Sequence, residues 1–371
     1  MLLPLMPLLP LPLLRFPLAV TPLLMSPGPC SPKRLRTMAT IGTHDGTFHC
    51  DEVLACFLLR QLPRYKDAKV VRTRDPKALA TCDVVVDVGG EYDPGRHRYD
   101  HHQRSFAETM HSLCAEKPWV TKLSSAGLVY MHFGEEVITS ITGLGKEDAN
   151  VTTLYNKMYE KFVEEVDAID NGISQHDGEP RYAITTGLSA RVGRLNPMWN
   201  DPDQSGDKRF WKAVEMVGAE FLDRLHFYWK AWLPARQLVE MAILSRHKVD
   251  ESGEIVEFQA GGCPWKEHLF TLEETLSIDK AIKYAIFTDQ KGSWRVQCVP
   301  VAVHSFENRL SLPESWRGLR DEALSSHCGI PGCVFVHSGG FIGGHSTRDG
   351  ALEMARRSLK AAASQCSVAT A

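Results

Sequence analysis

The chain has 371 residues, long enough for two domains that each bury a core. Its 43% hydrophobic and 23% charged residues are those of an ordinary soluble globular protein, and a formal net charge of −3 excludes whole-protein attraction to nucleic acid. Any RNA or DNA binding must come from local basic grooves. The ten cysteines contain no Cys-x-x-Cys pair, and the closest late pairing is Cys328 with Cys333, so free thiols in a reducing compartment are expected rather than disulfides or a structural zinc site.

In chain order, the first forty residues fall outside the expected fold. Met1 to Pro32 is rich in Leu and Pro and carries Arg15 but no acid; Lys33-Arg34-Leu35-Arg36 follows, and the first carboxylate is Asp45. An acid-poor, basic and apolar leader has the composition of an organelle-targeting segment, and its prolines interrupt any helix that could span a membrane. The late basic cluster favours mitochondrial import over secretion, while Lys33, Arg34 and Arg36 could equally form a short nuclear-import patch.

From Ile41 the pattern becomes regular. Val53, Leu54, Phe57, Leu58 and Leu62 predict a helix over Asp51 to Leu62, so the cluster before it sits on a loop leading into that helix. Strands are predicted at Lys69 to Thr73 and Asp83 to Val88, joined by a short helical stretch at Ala78-Leu79-Ala80, the unit that builds a parallel sheet. Helices follow at Leu123 to Phe133 and Tyr155 to Ile169, the second stopped by Gly172, and then a surface loop runs from Asn196 to Asp207. Phe210 to His247 reads as largely helical, with Trp211, Val214, Phe221, Leu225, Trp229 and Trp232 as a core stripe and a bend at Pro234. A boundary near Asp250-Glu251-Ser252-Gly253 separates a catalytic domain, 41–250, from a second, smaller α/β domain, 251–371. The latter holds predicted strands at 254–258, 283–288, 294–300 and 333–337 and a closing helix at 349–362.

Three clusters in the first half carry metal-type chemistry: His44, His49 and Asp51; Asp87, after the apolar run Val84-Val85-Val86; and Asp100-His101-His102. Imidazole and carboxylate together suit Mn²⁺, Mg²⁺ or similar ions better than a thiolate site would. A metal pair that holds a phosphoryl group needs one carboxylate able to bridge both ions, further ligands on each, and open positions for water and substrate. Asp87 is the bridging candidate, His44 and His49 complete one ion's shell, and Asp51, His101 and Asp170 complete the other. Adjacent histidines rarely both reach one metal, so His101 is assigned to metal and His102 to a substrate phosphate oxygen. Asp100 holds the local geometry. Asp167, one helical turn before Asp170, competes with it, and His97, His111 and His176 lack a supporting cluster and are read as solvent-facing.

Asp100-His101-His102, the upstream His/Asp cluster, Asp87 and Asp170 together resemble the DHH phosphoesterase superfamily. More specifically, Ile41-Gly42-Thr43-His44 with Gly46-Thr47-Phe48-His49-Cys50-Asp51-Glu52, then Val86-Asp87-Val88-Gly89-Gly90-Glu91-Tyr92-Asp93, then Arg98-Tyr99-Asp100-His101-His102-Gln103, is similar to the melanocyte-proliferating-gene (Myg) family. The likeness runs from about Ile41 to the closing helix. It implies a DHH-type parallel-sheet domain and a 3′→5′ RNA exonuclease found in the mitochondrial matrix and the nucleus, nucleoplasm or nucleolus. Two residues depart from the pattern. His49 stands where most of the superfamily has Asp, and Asp45 follows the first motif histidine where the family usually has an amide. If Asp45 faces the metals it tightens ion binding and repels phosphate.

The second half contributes Ser338-Gly339-Gly340-Phe341-Ile342-Gly343-Gly344-His345-Ser346-Thr347-Arg348, read as a glycine-rich turn before a helix whose positive end can meet an anion. It resembles the Gly-Gly-His element of the domain that accompanies DHH domains, which makes Gly343, Gly344, His345 and Arg348 substrate-binding candidates. The expectation is therefore a two-domain α/β phosphodiesterase with its active site in the cleft between the domains. Two divalent ions would serve single-stranded RNA, with no membrane association, and Arg98, Arg104, Arg191, Arg194 and Arg348 are candidate backbone contacts. The alternatives are a phosphohydrolase of dinucleotides or pyrophosphate, and a non-catalytic metal-binding RNA scaffold.

Overall fold

A computed structural model of the protein describes residues 38–369, so nearly all of the expected leader lies outside the described residues. The first sheet consists of β1 (Thr40–Thr43), β2 (Lys69–Arg72), β3 (Val84–Val86), β4 (Tyr92–Asp93) and β5 (Arg98–Tyr99), in the order β2-β1-β3-β5-β4. β1 pairs in parallel with β2 and β3, and β3 in parallel with β5; the short β4 runs antiparallel on β5. Val84, Val85 and Val86 are all buried, as β-branched residues in a strand covered on both faces should be. β2 lies on one side of β1 and β3 on the other, so the strand order reverses at β1/β3, the place where ligands bind on such sheets. β1, β3 and β5 are parallel neighbours, which brings their carboxyl ends side by side, and each end leads directly into one of the three motifs.

The helix Cys50–Arg60 packs against the helices Ser125–Thr142 and Asp207–Phe227. Val53, Leu54, Leu58 and Leu59 are fully buried there. The helix predicted from Leu123 starts at Ser125 and runs on to Thr142. Tyr155 to Ile169 belongs to a longer run, Ala149 to Asp170, which widens to π geometry at Tyr159–Val163. A second π segment, Tyr228–Trp232, interrupts the run from Asp207 to Leu244, and Pro234 sits in the first turn after it. The irregularity thus begins before the proline that predicted it.

The second sheet holds β6 (Ile255–Phe258), β7 (Tyr284–Thr288), β8 (Trp294–Cys298), β9 (Cys333–Val336) and β10 (Ile342–His345), in the order β6-β7-β8-β10-β9. β6 and β7 are parallel and the other pairings antiparallel. Alternation along the strands supplies two apolar faces. Ile255, Tyr284, Ile286 and Val296 pack with Ala351, Met354 and Ala355 of the closing helix Arg348–Ala369, while Val256, Phe258 and Ala285 pack with Val239 and Ile243 of the helix Leu233–Leu244 and with Leu269 and Leu272. The long helical run therefore serves both sheets. The architecture is mixed α/β with two sheets, as the sequence implied.

Two local expectations are corrected. The glycine-rich segment is a turn only through Phe341; Gly343 and Gly344 lie within β10, between β8 and β9. A Cβ on Gly344 would stand 2.8 Å from the Phe335 ring, so the glycines are there to let neighbouring side chains cross the strand. His97 is not solvent-facing but half-buried, with its Nδ1 3.2 Å from the Tyr99 hydroxyl. His111 and His176 are exposed. Cys328 and Cys333 are hydrogen-bonded thiols 3.6 Å apart rather than a disulfide, and the described cysteines are free thiols.

Candidate metal centre

Asp87 follows β3 with φ of 57°, a left-handed backbone that costs most residues energy and that Asp tolerates better than most. Its amide donates to the Tyr99 carbonyl at 3.1 Å, which ties the turn to β5. That conformation turns the carboxylate toward the strand ends. Oδ2 lies 3.3 Å from His44 Nε2, and Oδ1 lies 3.3 Å from His101 Nε2.

Around Asp87 the ligand-type atoms gather in overlapping groups. His44, His49, Glu52 and Asp87 form one; Asp87, His101 and His102 form another; His49, Asp51 and Asp170 form a third, with the atoms of each group within 4.8 Å of one another. His44 Nε2 is 3.0 Å from Glu52 Oε1, and Glu52 also accepts the His49 amide at 2.9 Å, which fixes the start of the helix. Asp51 Oδ2 accepts the Ser125 hydroxyl at 2.7 Å. His101 Nε2 faces Asp170 Oδ2 at 3.2 Å and Asp51 Oδ2 at 3.8 Å in addition to Asp87. Asp100 accepts the Gly90 amide at 2.6 Å and holds His102 through Nδ1 at 2.8 Å, which leaves the far ring nitrogen of an exposed imidazole for other partners.

The electrostatics follow from burying like charges together. Burial drives the Glu52 carboxyl up to about 8, against the pull of His44, and burial with the neighbouring Asp51 drives Asp170 to about 8. Asp51 is raised by burial and by Asp87. For Asp87, burial is outweighed by the imidazoles of His101 and His44 close beside it, and its carboxyl stays well below the usual carboxylate range. Burial alone would lower His44, but its bonds to Asp87 and Glu52 raise it to about 9. Against burial, His101 is raised by the carboxylates of Asp87, Asp51 and Asp170 around it, and the Asp100 bond raises His102 to about 9.

These residues fit divalent metal ions. His44 Nδ1, Asp51 Oδ1, Asp87 Oδ1 and both His101 ring nitrogens are buried without a hydrogen-bond partner. His101 Nε2 has carboxylates on several sides and hydrogen-bond alignment to none, the posture of a ligand rather than a donor. Buried carboxylates packed this closely are costly without a cation among them. The donors are oxygen and imidazole nitrogen, which suits hard or intermediate ions.

A cavity of about 780 Å³ opens beside this cluster, lined among others by His49, His101, His102, Arg104, Lys122 and Asp170. Its remaining wall comes from Ser189, Ala190 and Gly193 of the segment around the helix Leu188–Gly193, so the cavity is enclosed by residues 49–193 and not by the second sheet. Gly343, Gly344 and His345 do not line it. His345 is buried and spends both ring nitrogens on the backbone, one accepting the Thr347 amide at 2.9 Å and the other 2.9 Å from the Pro331 carbonyl. Arg348 is paired with Glu257, and Arg191 with Glu220. Arg98 bonds backbone carbonyls, as does Arg194. Arg104 alone of the five candidate arginines reaches the cavity.

Asp170, rather than Asp167, points into the cluster. Asp167 is fully buried and saturated by the Ser124 amide and hydroxyl, the Gly127 amide and the Tyr159 hydroxyl. Asp45 turns outward toward Arg74, 3.7 Å away, and both are exposed. Sequence reasoning missed Glu52 as a ligand candidate. The signal was its place beside Asp51 in the helix's first turn, where carboxylates suit the positive end of the helix.

The fold and the site together define an α/β protein whose parallel sheet carries a histidine and carboxylate centre suited to divalent ions at its strand ends. The chain belongs to the MYG1_exonuc family, described as an uncharacterised protein family (UPF0160), whose model matches residues 40–359. It is 67% identical over 320 residues to the MYG1 exonuclease of Rattus norvegicus, covering 86% of this chain and 84% of the relative. It is 66% identical over 333 residues to the MYG1 exonuclease of Homo sapiens, covering 88% and 89%. The MYG1 protein C27H6.8 of Caenorhabditis elegans is 51% identical over 323 residues, covering 86% and 95%. The family expected from the three motifs is thus established.

Proposed function

We propose that this protein is a metal-dependent exonuclease that degrades single-stranded RNA in the 3′→5′ direction, in mitochondria and the nucleus, using two Mn²⁺ or Mg²⁺ ions. The observation that carries the reading is the two-sided use of Asp87, with His44, itself in contact with Glu52, beside one carboxylate oxygen and His101 beside the other. His49, Asp51 and Asp170 complete the set of residues that would hold metal. The name exonuclease, carried by the rat and human relatives, agrees with it. Bound ions at such a site supply activation of water and neutralisation of phosphoryl charge.

The chain's own residues supply the rest. His102, held by Asp100 through Nδ1, presents its far ring nitrogen to a phosphate oxygen at the cavity edge. Asp100 fixes which ring nitrogen faces out. Among the described residues no helix is long and apolar enough to cross a membrane.

The test is purified protein incubated with end-labelled single-stranded RNA and each divalent ion in turn. Loss of activity with chelator, restoration by Mn²⁺ or Mg²⁺, and a ladder shortening from the 3′ end are expected. Cleavage of dinucleotide or pyrophosphate but not RNA would replace this reading by a small-substrate phosphohydrolase, and metal binding without turnover by a scaffold. For localisation, residues 1–37 fused to a reporter should deliver it to mitochondria; secretion of the reporter contradicts the assignment.

A further inference from the structure

The cavity beside the metal centre carries a cationic wall that the centre does not use. Lys122 and Arg104 both line it, and no carboxylate among the described residues ion-pairs with either. Lys122 is half-buried, and its backbone is fixed from two directions. It forms an antiparallel bridge with Thr109, and its carbonyl accepts the Asn171 side-chain amide at 3.0 Å. Asn171 also donates to the Asp167 carbonyl at 2.9 Å. Because Asn171 directly follows Asp170, one short stretch of chain positions a carboxylate of the metal centre and the lysine together. The ammonium lies 5.7 Å from the Phe106 ring centroid, a contact that steadies the stem without neutralising the charge.

We infer that Lys122 is a substrate-binding residue that takes a phosphate of the strand other than the scissile one, so that the cavity is built for a nucleic-acid strand rather than for a single phosphoryl group. This rests on the nuclease reading above. A cavity of about 780 Å³ is of the class that encloses a ligand of nucleotide size or larger. Its charges are divided: carboxylates and imidazoles gather where the metals would sit, and the unpaired cations Lys122 and Arg104 lie on the same cavity's lining. An unpaired ammonium beside a carboxylate-rich centre has the sign needed to hold a second phosphate. Asn171 acts as a positioning residue, through the Lys122 carbonyl.

The test compares wild type, Lys122→Ala and Lys122→Arg on a single-stranded RNA of about ten nucleotides and on bis(p-nitrophenyl) phosphate. Losing one charge-assisted hydrogen bond to substrate corresponds to a fall of roughly ten- to a hundredfold in kcat/KM. Lys122→Ala should lose that much more on RNA than on the small diester, mainly through KM, and Lys122→Arg should recover most of the difference. Equal losses on both substrates, or no loss on RNA, overturn the assignment. Binding of fluorescently labelled RNA, followed by anisotropy against salt, decides the matter even if wild type hydrolyses nothing, an outcome that sinks the nuclease reading by itself. Lys122→Ala should then bind at least about tenfold more weakly, with the slope of log K against log salt reduced by about 0.7. Unchanged affinity and slope overturn the lysine's role.

Discussion

A Cβ added to Gly127 would lie 2.3 Å from Oδ2 of Asp167. The glycine is therefore required by the buried carboxylate that accepts its own amide at 3.0 Å. The same carboxylate anchors Ser124, so it fixes the start of the helix whose Ser125 holds Asp51. Gly127→Ala should force that helix start away and destabilise the protein by about 1–3 kcal/mol, the ordinary cost of overpacking a buried site. Urea unfolding checks this, and a variant with wild-type midpoint would show that the helix can yield freely.

Asp87→Asn keeps a residue that tolerates the left-handed backbone but removes the charge shared between His44 and His101. It should bind far less Mn²⁺ by elemental analysis and lose activity by at least about a thousandfold, roughly 4 kcal/mol in transition-state stabilisation. Circular dichroism should be unchanged. Asp87→Ala adds a backbone penalty of about 1 kcal/mol. Normal metal content in Asp87→Asn would exclude a bridging role.

Stability without metal should fall as pH rises. Glu52 and Asp170, near 8 when folded against ordinary values of 4.5 and 3.8, and Asp167 near 7, bind protons more tightly folded than unfolded. His44, near 9 against 6.5, does the same in a higher window. With more protons bound in the native state, the slope of unfolding free energy against pH is negative from about 4 to 9. For the carboxyl groups stability is lost as pH climbs from their ordinary values to their folded ones, and for His44 between 6.5 and about 9. Divalent ions compete with those protons, so metal should stabilise more at high pH. Thermal scans in EDTA and in Mn²⁺ from pH 6 to 9 should show the melting temperature falling in EDTA and the gap widening. A gap that narrows would count against metal binding at these groups.

His345→Ala should act on the fold rather than on RNA. Its ring bridges the Pro331 carbonyl and the Thr347 amide, and a Cβ on Gly350 would stand 1.8 Å from that ring. Leaving two buried backbone groups unpaired costs about 1–3 kcal/mol each. The melting temperature should drop while kcat/KM per folded molecule stays unchanged for both RNA and a small diester. A loss confined to RNA would return His345 to the substrate-binding surface.

The metal-type residues were legible because all but Asp170, which closes a helix, follow a strand or open a helix. An apolar run that ends in Asp87, or a helical stripe that begins at Asp51, marks the element's edge whatever the tertiary fold. Glu52 escaped because an acidic residue at a helix start already has a sufficient local explanation. The glycine segment misled because glycines read as turns from sequence alone. In β10 they serve close packing against Phe335 of the adjacent strand and against Arg295, a partner far away in the chain.

The sequence by itself determined the α/β class and the residue types at the strand ends, because these depend on periodicity and local order, and the family through the likeness of its three motifs. Tertiary structure decided which of them meet. Only the side-by-side placement of parallel β1, β3 and β5 brings His44, Asp87 and His101 together, and only the packing of Ser124, Gly127 and Tyr159 removes Asp167 from the cluster while Asp170 enters it. Strand order and the saturation of a buried carboxylate are long-range properties. They arise from contacts between residues distant in the chain, which no local pattern specifies.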